Sequence, residues 1–499
     1  MQERAELRPQ TPLINAWRII GIWVLPYMAV CVCSLFNIND NESIIRMIMR
    51  LYIGIAAASA LYFRYKKQLD ENNALRLVMM LGLILRMGYM LYTNWHVRYY
   101  DVGELGMDDL GHGAYIVSNI VYGRLPQNNY YQFYHPPLYH MVSGLAVKIA
   151  ALIRGTDDYA SLIKYAAATA CAASCVSVVM VQRLADALKI KRKHQIAAMA
   201  LTAVYPNMIL MGGRVNNDAF VTLFMILSVY FTVRWYYETE MKHIIGIALS
   251  MGLGMMSKIS CGTLAVVIAP VMLYKLYRAW REKEPVPIIK QLAVFALICF
   301  PLGLWYPIRN YIRFGQPLSY VTPLGEDAKV YTGNVEWYKR FLSIPIWEIF
   351  KTPYMDSGRD YSIFMIMTRT AVFGEFQYEN VAKLVSVGLY FVNLALMLYS
   401  LAAMAAVCVR DRVNDKFRAW GMAALWAAVM ASQLMFNVSM PYSCTADIRY
   451  IPLAFVSGCM YFAMWSEGCA SKKRGIKNPD TVLKALTVLY AAAVIIMYA

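Results

Sequence analysis

Long apolar runs separated by short polar stretches make up most of this chain. They fall at 15–36, 45–63, 74–95, 163–182, 195–212, 217–236, 242–257, 260–278, 288–305, 382–402, 418–437, 449–466 and 481–498. Runs of this kind can cross about 30 Å of hydrocarbon as helices, and none shows the two-residue alternation of a barrel strand. A segment in lipid must satisfy its own backbone polar groups, which leaves the helix as the spanning element. The pattern therefore predicts an all-α integral membrane protein with about thirteen transmembrane helices. The first run, Ile14 to Phe36, follows a basic leader without a small-x-small cleavage pattern and reads as a retained span. Leu138 to Ile153 is also apolar, but it is short and interrupted by His140 and Lys148. It reads as an interfacial or re-entrant helix on the outer surface.

Charge sets the expected topology. Lys/Arg clusters mark alternate loops: Arg64 to Lys67, Lys189 to Lys193, Lys275 to Arg281, Arg410 to Arg418 and Lys472 to Arg474. The positive-inside rule puts these in the cytoplasm together with the N-terminus, and leaves the C-terminus outside. Counting 138–153 as a crossing would move Lys189 to Lys193 to the outer face, which is why it is not counted. The net charge of +17 is thus a topology signal in a chain of 499 residues that is 59% hydrophobic, with mean hydropathy +0.42. No nucleic-acid partner is expected. Most of the ten cysteines lie inside apolar runs without metal-ligand spacing, so packing is their expected role.

Two stretches are too polar or too long for simple connectors. The expected segments are 1–95 (first spans), 96–160 (a large external loop with juxtamembrane helices), 161–305 (central spans), 306–381 (a second external loop, a candidate lid) and 382–499 (last spans). The second loop mixes Trp337, Tyr338, Trp347 and Tyr354 with charges, which suggests amphipathic interfacial helices. No internal repeat is evident, which weakens an inverted-repeat transporter.

The first loop carries the candidate chemistry. Asp101, Asp108 and Asp109 are followed by His112, with Tyr115 one helical turn further, and then by Tyr134-His135-Pro136-Pro137. A lone loop aspartate is most often a solvated turn residue. Three carboxylates clustered with an imidazole point instead to proton abstraction, metal binding or substrate binding. The paired prolines fix the Tyr134–His135 pair at the start of the next helix. Further polar groups project from span ends on the same side: Arg214, Asn216 and Asp218 in R-V-N-N-D, then Lys258, Arg309, Asp447 and Arg449. Each cation alone could be a snorkelling side chain. Together Arg214, Lys258, Arg309 and Arg449 would line an outer cavity suited to phosphate oxygens.

In their order, these motifs resemble the C-type (GT-C) membrane glycosyltransferases, most closely the branch of protein O-mannosyltransferases and lipid A aminoarabinose transferases. The resemblance rests on Asp109, His112, Tyr115, Gly123 and His135-Pro136-Pro137. It also rests on N-N-D-A at 216–219, G-L-G-M-M-S-K ending at Lys258, R-N-Y-I-R-F-G-Q-P-L at 309–318 and C-T-A-D-I-R-Y at 444–450. The similarity spans roughly residues 95–450. Leu110 stands where the family has a Glu after the first Asp, Asp108 precedes instead, and two extra spans come before the loop.

The resemblance implies transfer of a sugar from a polyprenyl-phosphate donor to a hydroxyl or amine of a protein, glycolipid or glycan, with inversion. It implies a site on the external face of a plasma membrane, expected here to be a bacterial one. Asp109 is the first choice of general base and Asp101 the second. Asp108, His112, Tyr115, Tyr134, His135, Arg214, Asn216, Asp218, Lys258, Arg309, Asp447 and Arg449 are the expected substrate-binding residues. The fixed cations can stabilise the leaving phosphate, so no metal is required, although the carboxylates leave room for a divalent ion. The alternative is a transporter or flippase of a lipid-linked or anionic solute. That reading needs ionisable groups within the membrane, where Arg86 is the clearest one.

Overall fold

The protein is described by a computed structural model covering residues 28, 42–93, 101–103, 110–129, 131–318, 320–350, 360–374, 381–411, 415–469 and 478–499. Regular structure in these residues is helical, and their one β feature is an isolated bridge between Tyr331 and Tyr442. Helices α1 (Glu42–Tyr65) and α2 (Glu71–Tyr92) pair first. A short helix α3 (Gly111–Ala114) continues as a π-helical turn (Tyr115–Val121), and α4 (Leu138–Arg154) packs against that turn. The central bundle comprises α5 (Ala166–Ala187), α6 (Arg192–Val204), α7 (Pro206–Gly212), α8 (Asp218–Tyr237), α9 (Met241–Ser257), α10 (Ala265–Arg281) and α11 (Val286–Phe314). After the short α12 (Trp337–Leu342) and α13 (Ile363–Val372) come α14 (Val381–Arg410), α15 (Lys416–Ser439), α16 (Pro452–Cys469) and α17 (Pro479–Tyr498).

Twelve of the thirteen expected spans fall on these helices; the first, 15–36, lies outside the described residues except for Met28. By length and composition, 9 helices among the described residues qualify as membrane-crossing, or 10 if the bent pair α6–α7 is one span. The chain is therefore a multi-pass integral membrane protein. Helix α9, with 17 residues, is shorter than any of these 9 helices.

Local chemistry sets several helix starts. Asp70 accepts from the Asn73 amide at 2.7 Å and caps α2. Asp415 caps α15 through the Arg418 amide at 2.9 Å, and its second oxygen accepts the Tyr237 hydroxyl at 2.6 Å. That one carboxylate thus joins the end of α8 to the start of α15. At the same end of the bundle the Lys191 amide reaches Glu467, which also pairs with Arg418, and Lys275 donates to Thr239. The basic connections after α5, α10 and α14 therefore gather at one end, opposite the 110–137, 213–217 and 440–450 connections.

The 47° bend between α6 and α7 follows from Pro206, which has no N–H to give the Thr202 carbonyl one turn back. Fully buried Arg86 supplies the missing donors. Its guanidinium donates to the carbonyls of Thr202 (3.1 Å), Ala203 (2.6 Å) and Gly82 (2.9 Å), and to Ser174 Oγ (3.0 Å). Gly82 permits this approach, because a Cβ there would sit 3.0 Å from the Ala203 Cα.

Two expectations about the 306–381 segment are corrected. Helix α11 runs on to Phe314, so the boundary expected at 305 falls inside a helix. The segment is also not all surface. Apart from Phe364, α13 is buried along its whole length, and an Asp360–Arg369 pair (both contacts 2.9 Å) closes on it. Thr370 receives Asn207 on its carbonyl (3.2 Å) and the Ile448 amide on its hydroxyl (3.0 Å), so α13 is a wedge behind residues 447–450.

Arg86→Leu is expected to leave the bend's carbonyls unpaired and to destabilise the protein by about 2 kcal/mol or more. A thermal unfolding curve in detergent micelles, compared with the wild type, would check this.

Candidate active site

The site begins with a glycine. Gly111 has φ +88°, and a Cβ there would lie 2.4 Å from the Val102 carbonyl oxygen and 2.8 Å from that of Asp101. Without it the 101–103 turn docks directly on the start of α3, where the Gly113 amide donates to the Val102 carbonyl at 2.9 Å. Gly-His-Gly at 111–113 is thus what delivers Asp101 to the bundle.

Asp101 meets groups from two distant connections. Its Oδ2 accepts Asn216 Nδ2 at 3.0 Å and Arg449 Nη1 at 3.2 Å, while Oδ1 has no partner among the described residues. Burial alone would raise this carboxyl. Arg449, His112, Arg214 and Lys258 outweigh it and hold Asp101 below the usual carboxylate range.

The turn before α8 supplies the next layer. Asn216 Oδ1 accepts the Asp218 amide at 2.7 Å, and Asn217 Nδ2 donates to the Ser257 carbonyl at 3.0 Å, tying the turn to the end of α9. Lys258 follows that end and bonds Asp218 Oδ1 at 2.5 Å. Arg449 Nε lies 3.4 Å from Asp218 Oδ2 and 3.8 Å from Asp447 Oδ2, and Asp447 Oδ1 accepts the Arg449 amide at 2.9 Å. Tyr450 lies under Lys258, 4.7 Å from its ring centroid, and its hydroxyl accepts from Arg449 at 3.0 Å.

Aromatic rings close the other side. His112 Nδ1 is 2.8 Å from His140 Nε2, and His135 stacks over His112 with centroids 5.7 Å apart. Tyr134 packs on His135 and meets Tyr320 edge-on. Burial pushes the His112 imidazole down to about 4, against the pull of Asp101 and Asp218, so it is neutral near pH 7.

These groups line a cavity of about 470 Å³. Asp101, His112, Tyr134, His135, Asn216, Lys258 and Arg449, all expected site residues, are on its wall. Other expected residues stand behind it. Asp218 and Asp447 hold the cations, Arg214 is buried in the 213–217 turn, and the Tyr115 hydroxyl bonds Tyr306 and the His135 carbonyl. Arg309 does not reach the cavity; it donates to the Pro126 carbonyl and lies over Tyr306 and Phe314. Asp108 and Asp109 lie outside the described residues.

Sequence reasoning passed over Gln132, Tyr320, Gln433 and Tyr450 on the cavity wall, and His140 behind it. Gln433 carried a signal, as a buried amide inside an apolar run; it donates to the Thr445 carbonyl at 2.7 Å. Among the described residues, the one group with metal-ligand spacing is Glu238, Glu240 and His243. It sits at the far end of α8, about 30 Å from Asp218 by helix rise, and is engaged with Arg234 and Lys242.

A second cavity, apolar and of about 830 Å³, lies next to the first. It starts at Leu264 and Ala428, beside Thr263 and one turn from Ser432 of the polar cavity, and follows the seam between α10 and α15 to Tyr274 and Lys416. Val266, Tyr274 and Trp420 on its walls are exposed on the outside of the bundle.

A family profile described as dolichyl-phosphate-mannose-protein mannosyltransferase matches residues 135–305, from the His-Pro-Pro motif through α11. No curated protein matches the chain. Two crystal structures of the Archaeoglobus fulgidus oligosaccharyltransferase, one complexed with zinc and sulfate and one in the apo form, are similar at 13% and 12% identity, with TM-scores of 0.44 and 0.42. Each alignment covers 84% of this chain, but only 51% and 55% of theirs, so the chain spans about half the length of those structures. The family profile covers about a third of this chain.

Gly111→Ala should push the 101–103 turn off α3 and lower transfer activity by at least about a hundredfold. Gly123→Ala is the control. Its φ is also positive, at +75°, but a Cβ there meets nothing within 4 Å, so about 1 kcal/mol of strain and near-normal activity are expected. Activity and thermal stability measured on both variants separate the two effects.

Proposed function

We propose that this multi-pass membrane protein is a glycosyltransferase of the GT-C class, which moves a sugar from a polyprenyl-phosphate donor to an acceptor hydroxyl or amine, with inversion. The observation carrying this reading is one cavity with the Asp101 carboxylate, Lys258 and Arg449 together on its wall, next to an apolar seam. A carboxylate, two cations and an apolar trough suit a nucleophile, a phosphate and a prenyl chain respectively.

In this mechanism Asp101 is the base, in preference to Asp109. Its Oδ1 takes the proton from the acceptor O–H or N–H as that atom attacks the anomeric carbon. The carbon–oxygen bond to phosphate breaks on the opposite face, and its electrons go to the phosphate. The donor phosphodiester carries one negative charge and the released monoester two, while Asp101 loses one on protonation. The total charge of the site is therefore unchanged through the step. Lys258 and Arg449 are fixed before the reaction by Asp218 and Asp447, so they stabilise the leaving group without reorganising. Tyr320 and Leu318, on the strand of chain after α11, cover the sugar from above.

The seam between α10 and α15 would hold the prenyl chain, and the 450–451 backbone with Gln132 and Gln433 would border the sugar. The acceptor, whether protein, glycolipid or glycan, enters beside His112 and Tyr134. The gathering of the basic connections at the opposite end of the bundle supports, by the positive-inside rule, a cavity on the extracytoplasmic face and an N-terminus in the cytoplasm; the expected membrane is a bacterial plasma membrane. A transporter finds no carrier group in Arg86, whose guanidinium is bonded to three carbonyls and a serine.

The test is transfer by purified protein in nanodiscs supplied with polyprenyl-phosphate sugars, reading polyprenyl-phosphate release together with acceptor modification. Asp101→Asn should lose about a thousandfold in kcat; full activity in that variant would remove Asp101 from the role, and loss only in Asp109→Asn would return it to Asp109. The pH profile gives a second check. Asp101 titrates below the usual carboxylate range, so activity should stay flat on the acid side to about pH 5. Arg449→Gln removes the main cation holding the carboxyl down, so the acid limb of the residual activity should move to higher pH. Ala424→Trp, on the seam, should raise KM for long-chain donors about tenfold or more and leave short-chain analogues unaffected.

A further inference from the structure

Gln316, just beyond the end of α11, is a polar side chain placed where an apolar one would be expected. It is 4% exposed, although Gly315 and Pro317 on either side of it are exposed. The backbone sets this placement. Gly315 caps α11 at φ +67° with its amide on the Tyr311 carbonyl (2.9 Å), and Pro317 turns Gln316 away from a further helical turn. Neither Oε1 nor Nε2 of Gln316 has a hydrogen-bond partner among the described residues. A buried amide in that state is costly and rare, so its presence asks for a ligand.

Gln316 lines a cleft of about 20 Å³ together with Asn310. Tyr134, His135, Ile259, Leu318 and Tyr320 are walls both of this cleft and of the main cavity. Hydrogen bonds hold its frame: Asn310 Nδ2 donates to the Tyr134 carbonyl (3.4 Å), the Tyr306 hydroxyl to the Phe133 carbonyl (2.9 Å) and the Thr322 hydroxyl to the Tyr131 carbonyl (3.2 Å). Asn310 Oδ1 accepts Arg309 at 2.8 Å, so that amide is engaged at both ends, in contrast to Gln316. His135 Nδ1 is likewise buried without a partner among the described residues. One water needs about 10–15 Å³ of such space, so the cleft has room for a single oxygen and none for an acetamido group or a phosphate. A hydroxyl can accept from Nε2 or donate to Oε1, and either bond serves the amide.

We propose that Gln316 is a specificity-determining residue, at a subsite that takes one free hydroxyl of the donor sugar. The inference deepens the proposed function and rests on it. Ile259 of the cleft follows Lys258, the cation assigned to the leaving phosphate, and Leu318 and Tyr320 are the residues that cover the sugar. The apolar seam for the prenyl chain starts farther along, at Leu264 and Ala428. A group in the cleft therefore belongs to the sugar ring. The substrate class is a sugar with an unmodified hydroxyl at that one ring position. A sugar deoxygenated there leaves the amide unpaired, and one that is acetamido-substituted or O-methylated there is too large for the space.

The test pairs a change in the enzyme with a change in the substrate. Gln316→Met keeps a side chain of similar length without its hydrogen-bonding groups. Wild type and variant in nanodiscs are given the polyprenyl-phosphate hexose that the wild type uses and its 2-, 3-, 4- and 6-deoxy analogues, and kcat/KM is measured for each. One analogue should cost the wild type about a hundredfold or more. The same analogue should cost Gln316→Met less than about threefold, because the partner of that hydroxyl is already gone. Thermal unfolding without substrate gives a second reading: Gln316→Met should unfold at the wild-type temperature or above it, since it removes an unpaired buried amide. A lower unfolding temperature would mean an amide satisfied by structural water, and equal losses in the two proteins for every analogue would mean no sugar hydroxyl at Gln316. Either result overturns the subsite. Absence of transfer by the wild type from any polyprenyl-phosphate sugar overturns instead the glycosyltransferase function on which it rests.

Discussion

A buried carboxylate between two cations organises this protein. Asp218 is 2% exposed, too deep to stay ionised alone, and it is matched by Lys258 at 2.5 Å and Arg449 at 3.4 Å. The three residues come from the start of α8, the end of α9 and the connection before α16. Bringing any one of them to the cavity without the others would leave an uncompensated charge in a low-dielectric interior. The pairing therefore fixes where three helix ends meet, and Asp101 joins the same network through Arg449 and Asn216. The chemistry proposed for the cavity needs cations and a carboxylate close together but held apart, and the fold meets that need with a second carboxylate that does no chemistry.

The bundle is polarised from end to end. One end holds the charged network and the aromatic imidazoles; the other holds the basic connections, tied by Asp415, Glu467 and the Lys275–Thr239 contact. Between them the bend at Pro206, stabilised by Arg86, delivers the 213–218 turn into the cavity end. A cation inside the membrane is usually read as part of a transport path. Here it replaces backbone donors that a proline removed.

What the sequence made legible was periodic or local. Apolar runs of sufficient length identified the helices, and the Asn-Asn-Asp turn, Lys258 and the Asp-Ile-Arg segment announced themselves as polar groups at span ends. What escaped was pairing across distance. Arg449 reaches Asp101 over a sequence separation of 348, and nothing in either neighbourhood says so. Arg309 looked equivalent to Arg449, yet it faces the 126 carbonyl, because a helix that extends to Phe314 turns it away from the cavity. His140 read as a flaw in an apolar run, since its partner lies in another helix. Helix α13 looked like part of a surface loop because 10 residues are too few to register as a span. Gly111 was overlooked because φ is a property of the backbone and leaves no mark in composition.

The seam between α10 and α15 has exposed apolar walls, so under the proposed function a carrier lipid seated there would reach the site sideways from the bilayer. Its encounter with the enzyme is then a two-dimensional event. The quantity that saturates the protein is molecules of carrier per unit of membrane area, and the same amount of donor in a given volume becomes more dilute as lipid is added. An enzyme working this way would respond to the abundance of carrier within its own membrane and be indifferent to how much of that membrane the cell contains.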